Sequence, residues 1–383
     1  MNRIRTTHAG SLPRPSALAA LHAKKFRGEA VDSAELDGMN RDAIAAVVRR
    51  QHTIGIDCVN NGEVCRESFF TYVQHRMTGF AGIGNRPPMR DLVKYRGYLD
   101  RMRRASFQDE HVSLGGPPAA VAEVRYKSPD AIEAECRDLT QALAAVGRKP
   151  EDAFVSVPSP GIVAAAMENR HYSSLDRYVH DVTTALGVEF RTVLAHGFQL
   201  QIDAPDLAME RHTYFADRPL DDFLAFVDGV GRELNRVLAD APRERIRLHV
   251  CWGNYEGPHD EDVPLEAIWP ALLRIRAGAL LLSMANPRHA HEHRVFEKQG
   301  FPSHATLVAG VIDTTTNYIE HPDTIAERLI TAARAIGDPS RVMAGTDCGF
   351  ETSVGYGPVV EEVAWKKLEA LVEGAKRASA KLF

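Results

Sequence analysis

The residues of this chain best suited to chemistry are a histidine and a cysteine two apart, in His249-Val-Cys251, and a second cysteine in Ala344-Gly-Thr-Asp-Cys-Gly-Phe350. Both stretches close short apolar runs that predict β-strands. Side chains on a strand alternate between faces, so His249 and Cys251 project from one face and could share a metal ion. With Cys348 they offer an imidazole and two thiolates, a set that suits zinc. Plain burial is the other reading, since free cysteine is common in cores. Asp203, at the end of Leu200-Gln-Ile-Asp203, could bind an amine or cation of a substrate, or cap its own turn. Glu63, in Asn61-Gly-Glu63, could face the same mouth or open the next loop. Tyr255 and His259 follow the presumed ligands and are candidates for a pocket wall. The three alternate histidines of Asn286-Pro-Arg-His-Ala-His-Glu-His293 have a spacing suited to ligands on a strand, but a loop entering a helix is expected there.

Positioning these groups requires a scaffold, and the chain repeats one. Eight short apolar runs, each followed by a polar or glycine-containing turn, alternate with segments of helical periodicity. The runs lead into Ser11, Glu63, Ser159, Asp203, Cys251, Ser283, Asp313 and Cys348. Helices are expected at Ser33–Gln51 (with Ser33 as N-cap), Ser174–Leu186, Leu220–Leu238, Leu265–Arg276, Pro322–Ala335 and Val359–Leu382. Strands alternating with helices predict a parallel sheet, and eight units predict a closed (β/α)8 barrel, here one catalytic domain over residues 1–383. Residues 81–129 break the rhythm and are expected to form an inserted hairpin excursion, with an extra strand within Pro117–Tyr126. Active sites of such barrels lie at the carboxyl ends of the strands, where Ser11, Glu63, Asp203, His249, Cys251, Asp313, Asp347 and Cys348 all fall.

Composition sets the outer limits. The 383 residues carry a formal net charge of −5, which argues against nucleic acid or an anionic membrane surface as the partner. No run approaches the ~18 apolar residues of a membrane span, and the start has no apolar signal core. Five scattered cysteines predict reduced thiols in a cytoplasm rather than a disulfide framework. The terminal helix, with Trp365 and Leu368, could be a homodimer face or a cover for the barrel; a cover is expected.

Thr6-Thr-His-Ala-Gly-Ser-Leu-Pro-Arg14, Gly62-Glu63, Gln201-Ile-Asp203, His249-Val-Cys251, Gly310-Val-Ile-Asp313 and Asp347-Cys-Gly349 together resemble the cobalamin-independent methionine synthase family, in its C-terminal catalytic barrel. The matches run in family order and imply a short, single-barrel relative, akin to epoxyalkane:coenzyme M transferase (2-hydroxypropyl-coenzyme M lyase). The resemblance implies a zinc ion on His249, Cys251 and Cys348 that binds a small, homocysteine-like thiol as thiolate for methyl or alkyl transfer, in methionine biosynthesis. It further implies that Ser11, Glu63 and Asp203 hold the amino and carboxylate ends of that thiol, with Asp347 catalytic. Three departures stand out. Ser283 aligns with the family's fourth ligand, a glutamate. Thr315 stands in place of a proton-donating histidine, a task His321 is expected to take. Val155-Ser-Val-Pro-Ser-Pro-Gly161 replaces the tryptophan-bearing folate segment. Thiol addition to an epoxide is therefore an alternative to methyl transfer, as is a metal- or thiol-binding homologue without turnover. A metal-free uroporphyrinogen decarboxylase type is disfavoured by the His-x-Cys…Cys set.

Overall fold

The computed structural model describes residues 3–105, 112 and 116–383. Seven apolar runs become parallel strands: β1 (Arg5–Thr6), β4 (Phe154–Pro158), β5 (Gln199–Asp203), β6 (Ile246–Val250), β7 (Ala279–Ser283), β8 (Thr306–Ile312) and β9 (Val342–Thr346). Their order is β1-β9-β8-β7-β6-β5-β4, every neighbouring pair parallel. The remaining gap, between β1 and β4, is closed by the eighth run. Asp57 and Cys58 N–H donate to the Thr6 carbonyl, at 3.2 and 3.0 Å. Val59 N–H donates to Asp152 O at 3.1 Å and Val59 O accepts from Phe154 N–H at 3.0 Å. This run is too short to count as a strand before Asn60-Asn61-Gly62-Glu63 turns away, yet it satisfies both neighbours. The fold is thus the expected α/β barrel.

Alternation sorts the β6 side chains. Ile246, Leu248 and Val250 join the core beneath the helices, while Arg247, His249 and Cys251 follow one another up the interior toward the mouth. Arg247 is buried beneath the site, its guanidinium 4.0 Å from the Phe154 ring centroid and donating to Thr7 Oγ1 at 3.1 Å and His8 O at 3.2 Å. These partners make a buried cation tolerable.

The helices depart from expectation mainly at their ends. The first long one spans Ser33–Ile54, capped by Asp32 rather than Ser33: the carboxylate accepts from Ala34 and Glu35 N–H at 2.8 and 3.3 Å. The helix expected to end at Leu186 continues over Leu175–Ala195, because Glu189, which spoils its apolar pattern, is buried and paired. Leu265–Leu272 stops short of Arg276, and the terminal helix spans Glu361–Leu382. Trp365 and Leu368 are buried in the chain's own core, so this helix does cover the barrel. Among the described residues no helix is long and apolar enough to cross a membrane.

The excursion is present and contains an antiparallel hairpin of β2 (Phe80–Ala81) and β3 (Ala119–Ala120). The extra strand is far shorter than Pro117–Tyr126, and residues 106–111 and 113–115 of the excursion lie outside those described. Asp91, in the short helix Arg90–Lys94, fastens the excursion over the barrel mouth. One oxygen of its buried carboxylate accepts from Tyr255 OH at 2.5 Å and His259 N–H at 3.0 Å. Lys94 adds pairs to Asp260 and Glu261 at 2.6 and 2.7 Å.

A buried charge network holds the other side. Glu135 accepts from Arg66 and Arg76, each at 2.7 Å, and Arg76 also pairs with Glu189 at 3.1 Å. Burial opposes the charge on Glu135, but the two guanidinium groups hold its carboxyl down at about 2. Breaking a buried pair leaves its partners' charges uncompensated. Glu135→Ala is expected to lose about 3–5 kcal/mol, read from the urea midpoint at unchanged m-value. The wild-type contribution should persist above pH ~4.5 and fade as the pH drops toward the folded value, since the folded carboxyl is the stronger acid.

Candidate functional site

At the carboxyl ends of the strands lies a cavity of about 320 Å³, and Ser11, Glu63, Asp203, His249, Cys251 and Cys348 all line it. Cys251 and Cys348 are buried, unbridged thiols with their sulfurs 3.9 Å apart. One donor atom from each of His249, Cys251 and Cys348 lies within 4.8 Å of the others. Asp203 pairs in register with His249 across β5 and β6, so both point into the barrel side by side. Its Oδ1 lies 3.0 Å from His249 Nδ1 and also accepts from Gln201 Nε2 at 2.8 Å. Asp203 therefore orients the imidazole as well as facing the cavity, a task its sequence position did not disclose.

The electrostatics of the trio form one unit. The Cys348 thiol, donating toward Cys251, holds the Cys251 thiol well below its ordinary range against the opposing effect of burial, and His249 adds to this. Cys348 is in turn pushed up by the Cys251 sulfur and by burial. Burial works against a charged His249, yet the Cys251 sulfur and Asp203 raise it to about 10. The chain thus offers a thiol held toward ionisation, a second thiol beside it, and a histidine with Nδ1 held by a carboxylate. Metal-bound histidines typically have their second nitrogen held in this way, so these residues fit a zinc-type ion.

Ser283 is brought to the edge of this set, its hydroxyl donating to Asp347 O at 2.9 Å; His249 Nε2 lies 3.2 Å from the same carbonyl. Asp347 itself does not face the wide cavity. Its carboxylate accepts from the N–H groups of Met284, Ala285 and Asn286 at 2.8, 2.9 and 2.7 Å, which locks the turn after β7 beside Cys348. Ser283, Asp347, Thr315 and Cys348 meet instead around a much narrower cleft. His321 is not brought to the site. Its side chain is 69% exposed, and it caps the helix Pro322–Ile336 by accepting from Asp323 N–H at 3.2 Å. The proline after it explains this, because a helix beginning at Pro322 needs an acceptor just ahead.

Glu63 adopts a left-handed backbone, φ 55°, at the cavity floor. Its Oε1 accepts from Ser156 Oγ at 2.6 Å, while Oε2 is buried with no hydrogen-bond partner among the described residues. Gly10 makes room for it: a Cβ there would fall 2.3 Å from Oε1. Ser156 and Ser159 occupy the segment that replaces the folate motif. Ser159 binds Asp206 at 3.0 Å and caps the following helix, so this segment is engaged within the chain.

The roof escaped the sequence reading apart from Tyr255. Phe69, Pro87, Pro88, Met89, Leu92, Met209 and Tyr356 close the cavity with apolar surface, four of them from the excursion. Among the described residues the lining holds one guanidinium, Arg86, which pairs with Glu210 at 2.8 Å. The advance signal in the sequence is Pro87-Pro88-Met89, an apolar patch within the insert.

A barrel with a thiol-bearing mouth of this kind defines a class, and comparison with known proteins narrows it. The family described as cobalamin-independent synthase, catalytic domain, matches residues 4–87. A methionine synthase of Saccharolobus solfataricus is 22% identical over 374 residues, spanning 97% of this chain and 93% of that protein. A 2-hydroxypropyl-CoM lyase of Xanthobacter autotrophicus is 25% identical over 411 residues, 99% of this chain and 96% of its own length. In fold, the B12-independent methionine synthase of a Shewanella species, solved with selenomethionine, superposes with a TM-score of 0.74 at 20% identity, covering 99% of both chains. The chain is thus similar over nearly its whole length to methionine synthases of the cobalamin-independent kind and shares their barrel fold.

Burial, with the negative charge of Asp203 next, raises the Glu63 carboxyl to about 7. The folded state then holds a proton that the unfolded chain releases near 4.5. Stability should fall by roughly 3 kcal/mol as pH rises from ~4.5 through ~7. In Glu63→Gln that slope should be absent; denaturant unfolding across this range reads the difference.

Proposed function

We propose that this chain, as a single catalytic domain, is a zinc-dependent transferase that binds a small thiol in the barrel mouth and alkylates its sulfur. The observation that carries the reading is the convergence of two buried thiols and a carboxylate-held imidazole with Glu63, Asp203 and Ser11 around one cavity. His249, Cys251 and Cys348 would hold the ion, and Ser283 stands where a fourth ligand would be. When bound there, zinc supplies the positive charge that keeps a thiol, ordinarily titrating at about 8.5, as thiolate at neutral pH.

The chain's own groups do the remainder. Asp203 keeps the Nδ1 proton on His249 and fixes the ring. Glu63 and the second oxygen of Asp203 supply negative charge to an ammonium group, and Ser11 a hydroxyl to a carboxylate, which suits an amino-acid thiol of the homocysteine type. An approaching ammonium would favour the ionised form of Glu63, so binding and loss of its proton are coupled. The apolar roof excludes water and leaves the thiolate facing the alkyl donor. Methyl transfer to homocysteine is the leading reading, supported by relatives that carry the name methionine synthase.

A second reading, thiol addition to an epoxide, is favoured by two observations. The roof is apolar and, among the described residues, its one guanidinium is already paired, an environment for a small uncharged electrophile rather than a polyanionic pterin. A relative of similar identity over the whole chain is a 2-hydroxypropyl-CoM lyase.

Protein purified without chelator is expected to carry zinc that a Cys251→Ala variant loses, by elemental analysis. Thermal stabilisation by homocysteine, and not by coenzyme M or glutathione, would support the amino-acid thiol, and that response should vanish in Glu63→Gln. Stabilisation by coenzyme M alone would favour the epoxide reading. A folded wild type that binds zinc and thiol but alkylates none with either donor class would make it a binding homologue. One without bound metal, unresponsive to added zinc, would overturn the proposal.

A further inference from the structure

Behind the wall that carries Tyr255, the loops after β5, β6 and β7 bring His212, His259, Asp262 and His289 together. His259 Nδ1 lies 2.8 Å and His289 Nε2 2.7 Å from the same oxygen of Asp262, and His212 Nδ1 lies 3.0 Å from its other oxygen. One donor atom each from His259, Asp262 and His289 falls within 4.8 Å of the others. The four side chains are between 1% and 4% exposed. None of them lines the wide cavity. Of the alternate histidines, His289 alone turns inward; His291 is exposed, and His293 starts the helix Arg294–Gln299.

Two further observations point to a ligand. Both ring nitrogens of His212 and Oδ1 of Asp262 are buried with no hydrogen bond of ordinary geometry among the described residues. An orphan of this kind costs roughly 1–3 kcal/mol, and His212 Nδ1 and Asp262 Oδ1 face each other at 3.0 Å on one edge of the cluster. Moreover, the outer nitrogens of the other two histidines meet acceptors. His259 Nε2 lies 3.1 Å from Tyr255 O and His289 Nδ1 3.3 Å from the Glu292 carboxylate. Oxygen acceptors on the outer N–H direct the inner lone pair at a shared centre, the usual outer arrangement of metal-bound imidazole. Without an ion the same contacts would require both rings to be protonated, with Asp262 and Glu292 as their buried carboxylates.

We propose that His259, His289 and Asp262, with His212 as fourth ligand, form a second metal site, distinct from His249, Cys251 and Cys348. Three imidazoles and a carboxylate suit a divalent first-row ion of borderline softness, of which zinc is the type. Four buried donors leave no open position, so the role is structural. The ion would tie the loop after β7 to the two loops whose Met209, Thr213, Asn254 and Tyr255 form one wall of the cavity.

Cobalt(II) titration of the metal-stripped full chain separates the two sites, because thiolate ligation gives intense charge-transfer bands and a nitrogen–oxygen site does not. Two ions per chain are expected. The double variant Cys251→Ser, Cys348→Ser should lose the charge-transfer bands and keep one ion. Asp262→Asn and His289→Gln should each weaken that remaining ion by tenfold or more and leave the bands in place. Should Asp262→Asn fail to fold, His289→Gln alone carries the comparison, with circular dichroism confirming its fold. A folded wild type that takes up one thiolate-bound ion and no second overturns the inference. So does a second ion that is indifferent to both substitutions. Since the bands report the thiolate site independently, failure of the alkyl-transfer proposal leaves this result readable.

Discussion

Strand β6 must send every second side chain into a barrel whose centre holds no room for solvent, and the rest of the site follows from how that polarity is absorbed. Arg247 lies deepest, held by an aromatic face, a hydroxyl and a carbonyl. Above it His249 would be a poor choice for a dry interior were Asp203 not in register on β5. That pairing is fixed by backbone ladders, so the hydrogen bond between them does not depend on loop conformation. Cys251 then emerges at the rim opposite Cys348 with its geometry already set from below.

Around this column the electrostatic environment is crowded with acids that burial makes reluctant to ionise. The Glu63 and Asp347 carboxyls are raised to about 7, and Asp206 is also pushed up by burial. Serine hydroxyls relieve two of them, Ser156 for Glu63 and Ser159 for Asp206, and three backbone N–H groups relieve Asp347. Of the three only Glu63 lines the cavity, so a cation arriving there would be met by one group whose charge state responds to it.

Much of this was legible beforehand, for reasons of periodicity. A period of two placed His249 and Cys251 on one face, and eight recurring runs placed Ser11, Glu63, Asp203 and Cys348 at one rim. Features set by tertiary contact were not. The second run pairs with both neighbours yet is too short for a strand, Asp32 outcompeted Ser33 as a cap, and Glu189 hid a helix by being buried in an ion network. His321 looked available because a sequence does not show that the helix at Pro322 would take it as a cap. Asp347, at a strand's carboxyl end, could face the mouth or bend back onto the chain, and three N–H groups decided that. The alternate histidines suggested ligands on a strand, whereas the buried one, His289, finds its partners in a loop some 30 residues earlier.

The roof and the floor of the cavity come from different kinds of chain. The floor is barrel, its side chains set by ladders that cannot shift without disturbing every neighbouring strand. The roof is largely excursion, attached through Asp91 and Lys94 to the loop after β6 and through Arg86 to Glu210 in the loop after β5. On the proposed function, sulfur activation and choice of alkyl partner would thereby be carried on separable parts of the molecule. An excursion of this sort can diverge, lengthen or be exchanged while the thiols below keep their places, a modularity that lets one barrel serve several donors.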